Sequence, residues 1–427
     1  MSMHRREFLA ALAAASATAT LAGCSSMGSR ASRGKVVVIG GGYGGATTAK
    51  YIRIWSGGTI EVTLVESNTE FVSCPLSNLV LGGSAEISAL TLPFTALVSR
   101  HGVRVMRDTA VAVDPDKRSV RLASGTELPY DRLVLSPGVE FLYRLVPGLE
   151  SASAQDKVLH AWNAGPQTVA LRRQLEAMPD GGVYAITIPI APFRCPPGPY
   201  ERACQVAWYF KRAKPRAKVL VLDANPDVVS KAAIFKKAWT EDYKGIVEYR
   251  NNHIVTGVDA TTRTVKFEVQ DDVRADVLNV LPPQSAGAIA RQAGVITANG
   301  RWSEVDFLTF ESIKVKGIHI IGDSIQIAPA MPKSASMANN HAKVAAAAIV
   351  ATLSGEMVSR APVVVNTCYS FITDKEVAHV ASVHQYDNDK KTFIAVPGAG
   401  GLSPAPNTLE GEYAWNWAKN IWADSLT

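Results

Sequence analysis

A strand that runs directly into a glycine-rich turn and a helix is the feature that most constrains the fold. Residues 36–39 are apolar and precede the turn, and residues 46–54 continue from it as a predicted helix. The turn holds Gly40, Gly42 and Gly45 in the spacing G-x-G-x-x-G. Glycine at these places permits a tight turn, lets the backbone approach a pyrophosphate and packs helix against strand, while the helix N-terminus stabilises phosphate charge. The segment predicts a Rossmann-like α/β domain that binds a dinucleotide.

An acidic residue after the second predicted strand supports this interpretation. The strand covers residues 60–65 and ends in Glu66, which is placed to bind a ribose hydroxyl. Glycine-rich turns that bind nothing also exist, but the strand, helix and Glu66 together favour a ligand. The chain has 427 residues, which is enough for two or three domains, so this domain is one of several.

Two later segments indicate which dinucleotide is bound. Residues 130–138, Y-D-R-L-V-L-S-P-G, and residues 317–323, which end in G-D, resemble two motifs of flavoproteins that carry two dinucleotide-binding domains. In those proteins the aspartate, here Asp323, accepts a hydrogen bond from the ribityl chain of FAD, so the resemblance implies FAD. Lys333 precedes a predicted helix at 335–353. It would stabilise an anionic reduced flavin, or would be a solvated loop lysine.

The second Rossmann-like segment lacks the glycines of the first. A predicted strand at 182–188 leads into P-I-A-P-F-R-C-P-P-G-P-Y, and a helix and a strand at 218–222 follow. Prolines stiffen the turn and remove backbone N–H donors, so a pyrophosphate has no nest there. The segment predicts that NAD(P)H is not a substrate and that the turn presents Cys195 instead.

The chain has five cysteines, too few for a disulfide scaffold and odd in number. Cys195 lies beside Arg194 and near a predicted helix N-terminus, and both features predict a lowered thiol pKa. Cys204 falls among apolar residues of that helix and is interpreted as a buried small side chain. Cys74 and Cys368 lie in segments that offer no packing reason for a thiol.

Several motifs together resemble the flavoprotein subunit of flavocytochrome c sulfide dehydrogenase, from about residue 34 to the C-terminus. The resemblance implies a glutathione-reductase-like α/β flavoprotein with two Rossmann-like domains and a C-terminal interface domain. It is carried by C-P-L-S-N at 74–78, R-C-P-P-G-P-Y-E-R-A at 194–203, G-D at 322–323, M-P-K-S at 331–334 and N-T-C-Y-S at 366–370.

The resemblance also implies the chemistry. Cys195 and Cys368 would form a redox-active disulfide beside the flavin, and Cys74 would carry FAD covalently. Sulfide would be oxidised to sulfur or polysulfide, with Glu201 accepting a substrate proton; capping of the helix is the alternative role of Glu201. The sequence has no C-x-x-C-H haem site, so the electrons would pass to a separate cytochrome c subunit in a heterodimer. No metal site is predicted.

Two other functions stay open at this point. The first is a sulfide:quinone oxidoreductase, and the second is a non-catalytic, flavin-bearing accessory subunit of a sulfur-oxidation complex. Quinone-reducing relatives enter the membrane with amphipathic C-terminal helices, and Trp415, Trp417 and Trp422 gather near this C-terminus. Lys419 is the basic residue among them, so core packing or a cytochrome interface is the favoured explanation.

The domains follow from the late return of the G-D motif to the flavin. We predict an FAD domain at 34–150 and 301–355, a second Rossmann-like domain at 151–300, and a C-terminal interface domain at 356–427. Residues 1–33 are predicted to be an export signal.

The export signal begins with Arg5 and Arg6 before a short apolar run, and resembles a twin-arginine signal. The ending L-A-G-C resembles a lipobox, which would place a lipid on Cys24; cleavage before Arg33 is the alternative. Either way the protein is predicted to be periplasmic. Its net charge of +6 arises from scattered residues, which disfavours nucleic acid as a partner.

Overall fold

The computed structural model describes residues 32–427, so Arg5, Arg6 and Cys24 of the predicted export signal lie outside the described residues. Within that range, no helix has both the length and the apolar character that crossing a bilayer requires.

The first part of the chain carries the following elements: β1 (Gly34–Ile39), α1 (Tyr43–Trp55), β2 (Ile60–Glu66), β3 (Glu70–Val72), α2 (Asn78–Gly82), β4 (Thr91–Pro93), α3 (Thr95–His101), β5 (Arg104–Arg107), β6 (Ala110–Asp114), β7 (Ser119–Leu122), β8 (Glu127–Pro129), β9 (Arg132–Leu135) and β10 (Val139–Phe141). The middle part carries α4 (Ala152–Lys157), α5 (Pro166–Ala177), β11 (Val183–Ile188), α6 (Gly198–Ala213), β12 (Lys218–Asp223), α7 (Ala232–Thr240), β13 (Val247–Arg250), β14 (Val255–Asp259), β15 (Thr264–Phe267), β16 (Val273–Arg274) and β17 (Val277–Val280).

The last part carries β18 (Gln284–Ala286), α8 (Ala288–Gln292), β19 (Val305–Asp306), β20 (Glu311–Ser312), β21 (Ile318–Ile320), α9 (Ala335–Ser354), β22 (Val363–Phe371), β23 (Val377–Asp387), β24 (Thr392–Leu402) and α10 (Thr408–Leu426).

The largest sheet joins the beginning of the chain to a late segment. Its seven strands run in the order β19-β20-β21-β9-β1-β2-β5. β1 pairs in parallel with β2 and β9, and β21 pairs in parallel with β9. Val36, Val37 and Val38 are buried, as expected of a parallel strand that is covered on both faces. The turn after β1 and the G-D motif after β21 therefore lie at the same edge of this sheet.

A second parallel sheet, in the order β13-β12-β11-β17, lies in the middle part of the chain. The short antiparallel pair β10-β18 connects this part to the first sheet. Ile186 and Val221 are fully buried in it, and the turn between β11 and α6 holds Cys195. The α/β fold class predicted from the sequence is confirmed.

The C-terminal part is an antiparallel sheet, β22-β23-β24, followed by α10. α10 packs against α1, where the indole Nε1 of Trp422 donates to Tyr43 Oη at 3.0 Å. Trp422 is only 6% exposed, and Trp417 lines the cavity described below. These two tryptophans are therefore used in packing inside the protein.

Candidate active site

One large cavity lies between the edge of the first sheet, the Cys195 turn and the C-terminal sheet. It has about 1470 Å³ of empty space when its open mouth is included. The residues predicted for the site that line it are Gly42, Glu66, Cys74, Cys195, Glu201, Asp323 and Cys368. Segments far apart in the sequence are thus brought to a single chamber.

The glycine turn is shaped by close backbone packing. Gly40 has a φ of +95°, and a Cβ on Gly45 would lie 1.8 Å from the carbonyl oxygen of Gly40. Gly42 differs, because a Cβ there would meet no protein atom within 4 Å and the residue lines the cavity. α1 begins at Tyr43, three residues before the predicted start, and Gly42 is its N-cap residue. Gly42 therefore faces the space in which a ligand's pyrophosphate would lie.

These two glycines give a matched pair of variants. Gly45→Ala should lower the free energy of unfolding by about 3 kcal/mol, because its Cβ collides with backbone. Gly42→Ala should leave it within about 0.5 kcal/mol, since the site is open, and should instead reduce flavin content. Urea unfolding of both variants, prepared flavin-free from a riboflavin-limited host, tests the contrast. Equal stabilities would contradict it.

Glu66 is held in place by the loops around it. Its Oε2 accepts a hydrogen bond from Gly41 N at 2.6 Å, and its Oε1 accepts from the backbone and side-chain nitrogens of Asn68 at 2.8 and 2.7 Å. The carboxylate lines the cavity beside the glycine turn. This arrangement fits the predicted contact of Glu66 with a ribose hydroxyl.

Asp323 offers the clearest fit to a bound cofactor. It lies in the short 3₁₀ turn Gly322–Ser324, and its Oδ1 is buried without a hydrogen-bond partner among the described residues. Burial raises the pKa of this carboxyl. A buried acceptor without a donor is costly unless a ligand supplies one. The hydroxyl of a ribityl chain would do so, and the residues present fit FAD.

Lys333 is buried, which excludes one of the two roles that the sequence suggested. It is 2% exposed, so it is not a solvated loop lysine. Its Nζ donates to the carbonyl oxygens of Asp323 and Ile325 at 2.8 and 2.6 Å and lies 3.6 Å from the centre of the Trp302 ring. Lys333 does not line the main cavity, and its ammonium contacts the backbone of Asp323 instead; its stabilisation of a reduced flavin stays a prediction.

The three cysteines of interest reach the cavity from different elements. Cys74 lies in the turn before α2, Cys195 in the turn before α6, and Cys368 in the strand β22 opposite Val380. All three are free thiols in this structure. Cys204 is also a free thiol and is fully buried in the core, as expected. Cys195 has a φ of +58°, and its backbone N–H donates to Lys333 O at 2.9 Å.

The predicted low pKa of Cys195 is wrong for the thiol state. Burial raises the pKa of its thiol, and the neighbouring Cys368 and Glu201 raise it further. Arg194 and Lys231 act in the opposite direction but do not overcome burial. Arg194, the charged neighbour visible in the sequence, therefore lowers the pKa of Cys195 by less than desolvation in the folded chain raises it.

Glu201 joins the three cysteine motifs. Its Oε2 accepts from the side-chain amide of Asn78 at 2.9 Å, four residues after Cys74, and its Oε1 accepts from Phe371 N at 3.0 Å, three residues after Cys368. Its carboxyl is buried and lines the cavity, and burial raises its pKa. Glu201 lies in the first turn of α6, but its hydrogen bonds go to other segments, so it does not cap the helix by a hydrogen bond.

A buried arginine that sequence reasoning left without a role supports this cluster. Arg202 is 1% exposed and donates through Nε to Asn78 Oδ1 at 3.0 Å. Its guanidinium also stacks over Trp162, 4.7 Å from the ring centre. Arg202 thus orients the amide that contacts Glu201. The E-R dipeptide at 201–202 is part of the motif quoted from the sequence, but the motif did not reveal the role of Arg202, because its partners are distant in the chain.

Three protein-family models match the chain, and two of them describe flavocytochrome c sulfide dehydrogenase. Residues 168–282 match the model described as "Sulfide dehydrogenase (flavocytochrome c) flavoprotein chain, central". Residues 360–426 match "Flavocytochrome c sulphide dehydrogenase, flavin-binding". Residues 34–175 match "Pyridine nucleotide-disulphide oxidoreductase".

Individual relatives of the chain include sulfide-oxidising flavoproteins. The chain is 61% identical over 46 residues to the sulfide dehydrogenase (flavocytochrome c) flavoprotein chain of Chlorobaculum thiosulfatiphilum, a match that covers 11% of this chain and 94% of that sequence. It is 27% identical over 300 residues to the mitochondrial sulfide:quinone oxidoreductase of Mus musculus, covering 68% of this chain and 65% of the mouse protein.

Solved structures show the same fold. The sulfide:quinone oxidoreductase of Aquifex aeolicus superposes with a TM-score of 0.75 at 17% identity, covering 92% of this chain and 91% of that one. Putidaredoxin reductase, in a covalent complex with putidaredoxin, superposes with a TM-score of 0.65 at 18% identity, covering 91% and 94%.

Proposed function

Because the chain belongs to the flavocytochrome c sulfide dehydrogenase flavoprotein family, we propose that it oxidises sulfide to sulfur or polysulfide and passes the electrons through FAD to a cytochrome c subunit. The observation that carries the proposal is the gathering of Cys74, Cys195, Cys368 and Glu201 around one cavity.

The proposed first step is thiol–disulfide exchange. In the oxidised enzyme, hydrosulfide attacks one sulfur of a Cys195–Cys368 disulfide, so a new S–S bond forms as the old one breaks. One cysteine becomes a persulfide and the other leaves as a thiolate, which conserves both atoms and charge. Glu201 takes the proton of the substrate, since its carboxyl faces the same cavity. When bound, FAD would supply an acceptor for two electrons that can release them singly.

The choice of electron acceptor rests on the C-terminal helix. Its Trp422 is buried against Tyr43, and its Trp417 lines the cavity, so neither is free to anchor the protein in a membrane. This counts against a tail inserted in the membrane, and the cytochrome c partner is proposed because the Chlorobaculum thiosulfatiphilum relative is a flavocytochrome c flavoprotein chain. A quinone is the second candidate, because the fold superposes over nearly the full chain on the Aquifex aeolicus sulfide:quinone oxidoreductase.

Stopped-flow absorbance of the purified protein separates these functions. Sulfide is mixed in first and bleaching of the flavin is followed; cytochrome c or a soluble quinone analogue is then added. Rapid reoxidation by cytochrome c alone supports the proposal. Reoxidation by the quinone alone favours the second candidate, and no bleaching by sulfide favours a non-catalytic accessory subunit.

We also propose that Cys74 carries FAD covalently. Its side chain lines the same cavity as Asp323 and the glycine turn. The yellow colour of the wild type should then remain in the pellet after acid precipitation. In Cys74→Ala it should move to the supernatant, with Cys204→Ala as the control. Colour released from the wild type would contradict the linkage.

Export to the periplasm by the twin-arginine route is part of the same proposal. Replacing Arg5 and Arg6 with lysine should leave the protein in the cytoplasmic fraction of cells, whereas the wild type should be released with the periplasm. Wild-type protein that stays in the cytoplasm would contradict it. Labelling with a radioactive fatty acid tests whether Cys24 carries a lipid.

A further inference from the structure

A buried lysine lies behind the cysteine pair. Lys231 precedes α7 in the middle part of the chain and is 6% exposed. Its Nζ donates to the carbonyl oxygen of Cys368 at 2.7 Å, to Ser370 Oγ at 2.8 Å and to the carbonyl oxygen of Ala378 at 3.0 Å. The ammonium thus reaches from the middle part into β22 and β23, and holds the residue that carries one of the two sulfurs.

All three acceptors of Lys231 are uncharged. A buried ammonium is costly unless a negative charge compensates it, and neutral donors could make the same hydrogen bonds. The titratable groups that act on Lys231 are Cys368, Glu201, Cys195 and Glu410. Two of them are the cysteines of the proposed redox pair, so reduction of that pair would add a thiolate close to Lys231 to the negative charge that the ionised Glu410 already supplies.

The electrostatic effect is mutual. Burial lowers the pKa of Lys231 to about 8, while the cysteines and carboxyls act to raise it. Burial raises the pKa of Cys368, and Lys231 is the charge that lowers it, together with hydrogen bonds to Asn366 and Ser334. Lys231 also lowers the pKa of Cys195. A single cation therefore acts on both sulfurs.

We propose that Lys231 is a positioning residue of the cysteine pair, which holds Cys368 through its carbonyl oxygen and stabilises the thiolate with its positive charge. This inference rests on the proposed function, in which exchange with hydrosulfide breaks the disulfide and leaves one cysteine as a thiolate. No sequence motif indicated it, because Lys231 and Cys368 are 137 positions apart.

The test measures the thiolate directly, without sulfide or turnover. The fully reduced holoprotein is alkylated with iodoacetamide over a range of pH, and modification of Cys368 is followed by peptide mass spectrometry. Lys231→Gln keeps hydrogen-bond donors but removes the charge, so alkylation of Cys368 at pH 7.5 should slow about tenfold. Lys236→Met, which replaces a surface lysine of α7, is the matched control and should match the wild type.

An unchanged alkylation profile in a folded Lys231→Gln protein would overturn the proposal. If that variant does not fold, Lys231→Arg carries the test, because it keeps the charge and changes the shape. The rate for Cys368 should then stay within about threefold of the wild type even if Tm falls. If the alkylation rate of Cys368 fell tenfold in Lys231→Arg, the positive charge would not be what stabilises the thiolate, and the proposal would be overturned. Failure of sulfide to bleach the flavin would leave this result intact and would refute only the proposed function.

Discussion

Cys195→Ser should slow the bleaching of the flavin by sulfide by about 10³-fold or more. The serine hydroxyl cannot form the disulfide that hydrosulfide attacks, so exchange has no starting bond. The cavity itself should persist, because the backbone N–H of residue 195 still donates to Lys333 O. Stopped-flow absorbance after mixing with sulfide measures the rate, and the flavin spectrum before mixing verifies that the cofactor is present.

Cys204→Ala is the control for this prediction. Cys204 is fully buried in α6 and does not line the cavity, so the variant should bleach at the wild-type rate despite some loss of stability. Cys368→Ser should be as slow as Cys195→Ser, and the double variant no slower, because the two sulfurs act as one unit. Fast bleaching in either single variant would exclude the disulfide mechanism.

Glu201→Gln should slow the same step by about 10²-fold and alter its pH dependence, since general-base catalysis by a carboxylate contributes about 10²–10⁴. The raised pKa of Glu201 means that the base form appears only as pH rises through that raised value. The wild-type rate should therefore rise with pH over this window more steeply than the rate of the variant, in which only the ionisation of hydrogen sulfide to hydrosulfide remains. Glu412→Gln, on the exposed face of α10, should keep the steeper rise.

The free energy of unfolding should depend on the same ionisation of Glu201, but it should fall as pH rises. A carboxyl whose pKa is higher in the folded than in the unfolded state stabilises the fold at low pH, and this contribution is lost as pH rises through the folded value. Glu201→Gln should lose a hydrogen bond, at about 1–3 kcal/mol, but should not show this decline. Urea unfolding from about pH 4 upward measures it. Parallel curves for both proteins would contradict a buried, raised carboxyl.

Features that depend only on residues close together in the chain could be predicted from the sequence. The strand, the turn of Gly40, Gly42 and Gly45, and the helix could be predicted because backbone clearance and hydrogen bonding act over a few positions. The absence of a second glycine turn before α6 was visible in the same way. The prolines around Cys195 predicted that NAD(P)H is not a substrate, because they leave no nest for a pyrophosphate, whereas the sulfur chemistry was implied only by the family resemblance.

Contacts between distant segments decided the rest. The sequence alone determined which residues could bind a dinucleotide and which cysteines lacked a packing role. Only the tertiary structure decided that Glu201 joins the segments of Cys74 and Cys368, that the ammonium of Lys333 turns to Asp323 O, and that Lys231 contacts Cys368. The physical reason is burial: it raises the pKa of Cys195 and Glu201 by removing water, and a linear sequence does not show which groups lose their water together.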